Sequence, residues 1–148
     1  MKRSTLSLAA VFALLTLSFS TAFAGDLPAG KWRLEGYNFT DKVAYPIDNR
    51  NITLNITDDG KIGGRGGCNF YGGSWAMDKD VLKITDMIST MMACDEDTMK
   101  FESTFFQTLR ESNDFDLTDG KLTFTDPKNM NFVRFVKAKP TPLECGNK

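Results

Sequence analysis

The stretch GGRGGCNFYGGSW, residues 63–75, decides the fold, because it gathers six of the chain's 12 glycines around a cysteine and three aromatic residues. A phosphate-binding loop needs a Gly-Lys-Ser/Thr ending that opens a helix, and this stretch has none. The dinucleotide-binding pattern also fails, since Asn69 stands where its third glycine belongs. Glycines inside a strand mark bends or close backbone approaches, which closure of a small barrel requires. We therefore predict one bent strand here.

The residues before this stretch supply its partner strands. Residues 31–37 and 52–57 alternate apolar with polar or small side chains, as half-buried strands do. Asp59 and Gly60 then form the dipeptide that best fits a hairpin turn. Residues 38–50, which carry Asp, Pro and Asn, are predicted to be a loop.

The residues after the stretch predict more hairpins and one helix. Apolar side chains recur at helical spacing in residues 95–112, and the three acidic residues at the start favour the positive end of a helix dipole. We interpret these acids as capping residues, not as a catalytic or cation site. Further strands are predicted at residues 75–77, 81–84, 115–117, 122–125 and 130–136. The fold class is therefore α+β and mainly antiparallel, a small barrel-like sheet with one packed α-helix.

The first 24 residues have the pattern of a secretory signal peptide. Lys2 and Arg3 precede an apolar run, and Ala22-Phe23-Ala24 matches the small-residue cleavage site before Gly25. The run is shorter than the ~20 residues that span a bilayer. No cysteine follows the cleavage position, so a lipoprotein is not predicted. We expect a soluble mature chain that is periplasmic or secreted.

The remaining chain is predicted to form one domain, residues 25–137, followed by a flexible tail, residues 138–148. Without Lys2 and Arg3, the 18 basic residues become 16 against 19 acidic ones, which gives a net charge of −3. Because phosphate binding depends on clustered Lys and Arg, and no basic stripe is visible in the sequence, we expect no nucleic-acid partner. We also expect a monomer.

Three cysteines outside the cytoplasm imply one disulfide and one remaining thiol. We predict the pair Cys68–Cys94, because Cys145 lies in the proline-containing tail. Closing this loop would stabilise the fold by about 3.5 kcal/mol on the loop-entropy model. Cys145 is left for an intermolecular bond. The chain has no histidine and no C-x-x-C spacing, so neither a zinc site nor any other cofactor is predicted.

Two motifs and the helix pattern give the sequence a family resemblance. The Gly-Cys-Asn of residues 67–69 is followed by Ser-Thr-Met-Met-Ala-Cys at residues 89–94 and by Glu102, Phe105 and Leu109 in the helix. This combination resembles the META domain, or HslJ-like, family over residues 32–135, which is almost the entire mature chain. The resemblance implies a small antiparallel barrel-like fold with one packed helix, similar to that of secretin pilotins. It also implies links to heat shock and novobiocin resistance in bacteria and to virulence in parasites.

The same resemblance implies a structural or functional role for six motif residues: Gly67, Asn69, Gly72, Thr90, Ala93 and Glu102. Two positions depart from the usual pattern: Phe70 stands where a polar or basic residue is common, and Met91 where arginine is frequent. From its own chemistry, Asn69 is expected to have a structural role by bonding the local backbone, with contact to a ligand as the alternative. Phe70, Tyr71 and Trp75 are candidates for lining a ligand groove, with core packing as the alternative.

The sequence disfavours an enzyme. Without histidine, neither a Ser-His-Asp nor a Cys-His arrangement is possible, and no acidic pair lies in a glycosidase-type motif. The leading hypothesis is an exported, non-catalytic META/HslJ-like protein of the cell envelope, related to stress, that binds a protein or lipid-like partner. The alternative is a carrier of a small apolar ligand in the barrel or the helix–barrel groove. A secreted interaction module is a third hypothesis.

Overall fold

The computed structural model describes residues 26–39, 42–44 and 51–139. The predicted signal peptide, Cys145 and most of the predicted tail lie outside these residues. Within them the chain forms nine strands and one helix: β1 Gly30–Phe39, β2 Lys42–Ala44, β3 Thr53–Ile56, β4 Lys61–Arg65, β5 Phe70–Asp78, β6 Val81–Ser89, α1 Glu96–Glu111, β7 Asp114–Thr118, β8 Lys121–Asp126 and β9 Asn131–Lys137.

The strands form one antiparallel sheet in the order β6-β5-β4-β3-β1-β9-β8-β7, with β2 paired to β1. The sheet curls so far that its two ends meet. The Leu82 N–H of β6 donates a hydrogen bond to the carbonyl of Asn113, just before β7, at 3.0 Å. The predicted α+β, mainly antiparallel, barrel-like fold with one helix is confirmed.

The helix fills the inner face of the curled sheet. Phe101, Phe105 and Leu109, the apolar residues predicted from helical spacing, are all buried. The Phe105 ring lies 5.7 Å from the Tyr71 ring of β5 and 6.2 Å from the Phe135 ring of β9, so the helix joins distant strands through aromatic contacts. These rings form the centre of the hydrophobic core.

The predicted start of the helix and the predicted hairpin turns are confirmed. Asp95 is the N-cap, and its side chain accepts a hydrogen bond from the Thr98 N–H at 2.9 Å. Asp119 and Gly120 have φ values of 53° and 73°, as a type I′ turn between β7 and β8 requires. Gly60 has a φ of 80° in the turn before β4.

The prediction of one bent strand at residues 63–75 was wrong. The stretch contributes the end of β4 and the start of β5, and residues 66–69 between them form a turn. The Gly66 N–H closes this turn by donating to the Asn69 carbonyl at 2.8 Å. Gly67 has a φ of 129°, which a side chain would oppose. The turn exists because Cys68 and Asn69 leave the sheet to contact the helix and the segment after β6.

The loop predicted at residues 38–50 was wrong at its start. Strand β1 continues to Phe39, and its end pairs with β2. The reason is aromatic packing: the Phe39 ring lies 4.6 Å from the Tyr37 ring and 5.5 Å from the Phe101 ring. These contacts extend the strand over the N-terminal half of the helix. Residues 45–50 lie outside the described part of the chain.

Two glycines of neighbouring strands are expected to respond oppositely to alanine. A Cβ at Gly64 would lie far inside van der Waals contact with the Thr53 carbonyl oxygen, so Gly64→Ala should cost about 1–3 kcal/mol through overpacking. A Cβ at Gly72 would meet nothing nearer than the Ile62 carbonyl oxygen at 3.9 Å. Gly72→Ala should therefore be neutral or should stabilise by about 0.4–1 kcal/mol.

Urea unfolding of the two variants beside the wild type measures both effects. Equal losses of stability at the two positions would contradict this difference.

Candidate functional site

A disulfide fastens the glycine-rich turn to the segment that follows β6. The Cys68 and Cys94 sulfurs are bonded, and their Cα atoms are 6.1 Å apart across a sequence separation of 26. Cys68 is buried, whereas Cys94 is exposed. The predicted pairing is confirmed, and it brings the two sequence motifs into one place.

The Asn69 side chain forms hydrogen bonds across the same junction. Its Oδ1 accepts from the Thr90 hydroxyl at 2.8 Å and from the Met92 N–H at 2.7 Å. Its Nδ2 donates to the Met92 carbonyl at 3.3 Å and to Glu102 Oε1 at 2.6 Å. The prediction that Asn69 bonds its local backbone was wrong, because these partners lie 21 to 33 residues away in sequence.

Glu102 completes this network from the helix. Its side chain is 3% exposed, and Oε2 accepts from the Cys68 N–H at 2.9 Å and the Asn69 N–H at 2.6 Å. A buried carboxyl group is costly unless its oxygens are hydrogen-bonded, and here three N–H groups serve them. Glu102 therefore orients both the turn backbone and the Asn69 amide.

We call the five residues of this junction the motif clamp: Cys68, Asn69, Thr90, Cys94 and Glu102. The Thr90 hydroxyl also accepts from the Phe70 N–H at 3.1 Å, and the Thr90 N–H donates to the Phe70 carbonyl at 3.0 Å. The clamp thus contains one covalent bond and a hydrogen-bond network with its buried side-chain atoms paired. These bonds hold three chain segments together: the glycine-rich turn, the segment after β6 and the helix.

The other motif residues surround the clamp without entering the network. Gly67 supplies the left-handed backbone of the turn, and Ala93 is exposed between Met92 and Cys94. Gly72 lies in β5, where it pairs with Gly63 and Ile88.

Sequence reasoning missed two contributors to this site. One is Met92, whose backbone N–H and carbonyl bond the Asn69 side chain. Gly66 allows the helix to approach the turn, since a Cβ there would lie 2.6 Å from the Phe106 ring. The position of Gly66 inside the glycine-rich stretch was a signal for such close packing.

The three aromatic candidates do not lie on one surface. Tyr71 and Trp75 are buried in the core, where the Tyr71 hydroxyl donates to the Thr53 carbonyl at 3.0 Å and the Trp75 Nε1 donates to the Thr57 carbonyl at 3.3 Å. Phe70, in contrast, is 56% exposed on the outward face of β5. Of the three, only Phe70 is accessible to a partner.

Two titratable groups of β5 have displaced pKa values, Tyr71 close to the clamp and Asp78 at the opposite end of the strand. Burial raises the pKa of Tyr71 far above its ordinary value of 10.0. The hydrogen bond from the Lys83 ammonium at 2.6 Å, together with its charge, lowers the pKa of Asp78 at the β5–β6 turn. Both groups therefore favour the state that they already have near neutral pH.

The raised Tyr71 pKa predicts a loss of stability in alkali. In the unfolded chain Tyr71 releases its proton near pH 10, whereas in the folded chain it keeps the proton to higher pH. Stability from this group is therefore complete below pH 10 and should fall by about 1.4 kcal/mol per pH unit between the unfolded and folded pKa values. Tyr71→Phe should lack this part of the decline. Urea unfolding of both proteins across this pH range tests it, and parallel declines would contradict the assignment.

The described part of the chain contains no group of three Cys, Asp or Glu side chains placed to hold a metal ion. It also contains no helix that is long and apolar enough to cross a membrane.

Comparisons with known proteins agree with this architecture. The META domain family model matches residues 25–139. No curated protein sequence matches the chain. A protein from Burkholderia xenovorans solved by NMR is similar with a TM-score of 0.61 and 17% identity, over 95% of this chain and 100% of that one. A DUF4847 family protein from Bacteroides vulgatus, a crystal structure, is similar with a TM-score of 0.53 and 12% identity, over 76% of this chain and 95% of that one. At these identities the two structures establish a shared fold.

Proposed function

Because the chain belongs to the META domain family, we propose that it is an exported, non-catalytic protein of the cell envelope that binds a partner and contributes to stress tolerance. The signal-peptide pattern of the first 24 residues supports export. The absence of histidine from the sequence supports a role without acid–base or nucleophilic catalysis.

The observation that carries the proposal is an exposed apolar cluster beside the motif clamp. Phe70, Ile88 and Met91 are 56%, 76% and 98% exposed. Phe70 and Ile88 project from the same outward face, since Ile88 pairs with Gly72 two residues after Phe70 in β5. Exposed apolar groups gathered in this way are typical of interaction surfaces. We name these three residues the apolar cluster.

The motif clamp gives this cluster a fixed backbone. Phe70 follows Asn69 directly. Met91 lies between Thr90, whose hydroxyl is hydrogen-bonded to Asn69, and Met92, whose backbone N–H is also hydrogen-bonded to Asn69. A surface that is already ordered loses less conformational entropy when it binds a partner. On this proposal, the two family motifs act indirectly, by presenting the apolar cluster.

The packed interior favours surface binding over carriage of a small ligand. Phe105, Phe124 and Phe135 are fully buried, and their rings follow one another at centroid distances of 6.2 and 6.0 Å. A carrier of a small apolar ligand would need a cavity between the helix and the sheet at this contact. Aromatic side chains occupy it instead.

Site-specific crosslinking in cells tests the proposal. A photo-crosslinking residue placed at Ile88 or at Met91 should capture the same defined partner. The matched control is Met130, which is 72% exposed at the turn before β9. Capture of one and the same set of proteins from all three positions would contradict a specific surface, as would no capture from the first two.

The stress role requires its own experiment. A deletion strain should lose tolerance to envelope stress, and the wild-type gene should restore it. Full tolerance of the deletion strain would refute the stress role and would leave partner binding to the crosslinking experiment.

A further inference from the structure

Gly72 is a glycine that its local structure does not require. Its φ lies outside the left-handed region, and an added Cβ would be 3.9 Å from its nearest neighbour, the Ile62 carbonyl oxygen. Its partner Gly63 differs, because a Cβ there would lie 2.8 Å from the Tyr71 carbonyl oxygen. Glycine in a strand interior marks a bulge or a place where another molecule approaches the backbone. The β5–β6 register does shift between Gly72 and Ser74, but Gly73 is the glycine that this shift requires, since a Cβ on Gly73 would lie 2.9 Å from the Thr85 carbonyl oxygen.

Gly72 lies at the centre of a row of paired residues that crosses four strands. Asn55 of β3 pairs with Gly63 of β4, Gly63 with Gly72 of β5, and Gly72 with Ile88 of β6. The neighbours Ile62 and Tyr71 are buried, so the row faces outward.

Because Gly63 and Gly72 have no side chains, the centre of the row forms the floor of a shallow trough. The Asn55 amide lies at one end of the trough and the Ile88 side chain at the other. Three strand spacings give it a length of about 14 Å. That length accommodates about four residues of an extended peptide.

Cationic side chains lie on both sides of this floor. On one side Arg65 pairs with Phe70, and its guanidinium carbon is 5.8 Å from the Phe70 ring centroid. On the other side Lys61 pairs with Ser74, and its ammonium nitrogen is 3.3 Å from the Ser74 hydroxyl oxygen.

The outward-facing described residues that pair in these rows on β3 to β6, and Thr90 beyond them, include no carboxylate. They are Thr53, Arg65, Phe70 and Thr90, then Asn55, Gly63, Gly72 and Ile88, then Lys61, Ser74 and Thr85. Two carboxylates adjoin the Lys61 row: Asp86 accepts from the Thr85 hydroxyl at 3.1 Å, and Asp59 accepts from the Thr57 hydroxyl in the β3–β4 turn.

We propose that this trough binds an extended acidic segment of a partner protein, with carboxylates on Arg65 and Lys61 and apolar side chains on Phe70 and Ile88. The inference rests on the proposed partner-binding function and names the partner's chemistry. Arginine binds carboxylates through two parallel hydrogen bonds, which gives the segment a defined register. Because the two sides are four residues apart on β4, the trough is about 13 Å wide, which suits one polypeptide chain better than a planar surface.

Fluorescence anisotropy with a labelled synthetic peptide of Glu-Glu-Val-Val repeats, which carries carboxylates on both sides of an extended chain, tests the charge requirement. The full-length protein should bind this peptide, and added salt should weaken binding. The double variant Arg65→Glu/Lys61→Glu should bind about tenfold more weakly or worse. Lys128→Glu/Lys139→Glu, which makes the same change of net charge at two exposed residues outside the trough, is the matched control and should bind as the wild type does. Equal binding of a glutamine–valine peptide, or equal losses in the two variants, would overturn the proposal.

Filling the floor tests the role of Gly72 separately. Gly72→Thr should keep or raise the melting temperature, because the added side chain projects outward, yet should weaken peptide binding by about tenfold. The melting temperature shows that the variant is folded. Unchanged binding by a folded Gly72→Thr variant would overturn the proposal.

Two further outcomes separate the trough from the proposed function. Sedimentation of the wild type with phosphatidylcholine–phosphatidylglycerol vesicles, without binding of the acidic peptide, would overturn the acidic segment in favour of a lipid surface. Capture of the crosslinked partner by Arg65→Glu/Lys61→Glu at the wild-type level would overturn the trough and leave the partner-binding function standing.

Discussion

Replacement of Glu102 by glutamine is expected to destabilise the domain by about 2–4 kcal/mol, because one of its two hydrogen-bonded oxygens becomes an N–H₂ group. If that group takes the Oε2 position, it faces the Cys68 and Asn69 N–H donors, which lose their acceptor while buried. If it takes the Oε1 position, it faces the Asn69 amide nitrogen instead. Rotation of the Asn69 amide does not relieve this conflict, since Asn69 Oδ1 already accepts from Thr90 and Met92.

Urea unfolding measures this effect, and Glu111→Gln is the matched control. Glu111 is the exposed last residue of α1, so the same chemical change there should alter stability by less than about 0.5 kcal/mol. Hydrogen exchange adds a local measurement, because the Cys68, Asn69 and Met92 N–H groups should lose protection before the strands do. A Glu102→Gln protein as stable as Glu111→Gln would show that the carboxyl group does not hold the clamp.

Removal of the disulfide is expected to cost about 3.5 kcal/mol on the loop-entropy model. The bridge closes a sequence separation of 26 residues, so its loss gives the unfolded chain more freedom. The folded clamp should persist, because the Asn69 and Glu102 hydrogen bonds still join the same segments. The double variant Cys68→Ala/Cys94→Ala is preferred, since a single replacement leaves a thiol that can pair with Cys145.

The urea midpoint of this double variant, compared with that of the wild type, measures the loss. Cys145→Ala is the control, because it keeps the Cys68–Cys94 bridge, and it should unfold at the wild-type midpoint. A double variant that loses less than about 1 kcal/mol would contradict the entropic account and would place the stability of the junction in its hydrogen bonds alone. Crosslinking from Met91 in the double variant then tests whether the remaining hydrogen bonds are enough to present the apolar cluster.

The sequence by itself determined the features that depend on neighbouring residues. The helix was predictable because Phe101, Phe105 and Leu109 recur at helical spacing after the capping Asp95. The Asp119-Gly120 turn was predictable because this dipeptide adopts the positive φ values that a tight hairpin needs. The disulfide followed from the small number of cysteines, and the family resemblance rested on motifs that occur in order along the chain.

Only the tertiary structure decided what the motifs do. Periodicity places Glu102 on the buried side of the helix. No local rule says that its carboxyl group meets the backbone of Cys68 and Asn69, which are 34 and 33 residues away in sequence. The same holds for the turn that divides the glycine-rich stretch and for the outward row through Gly72. These features arise when segments distant in sequence become neighbours in the curled sheet, because hydrogen-bond satisfaction and close packing are properties of the assembled contacts.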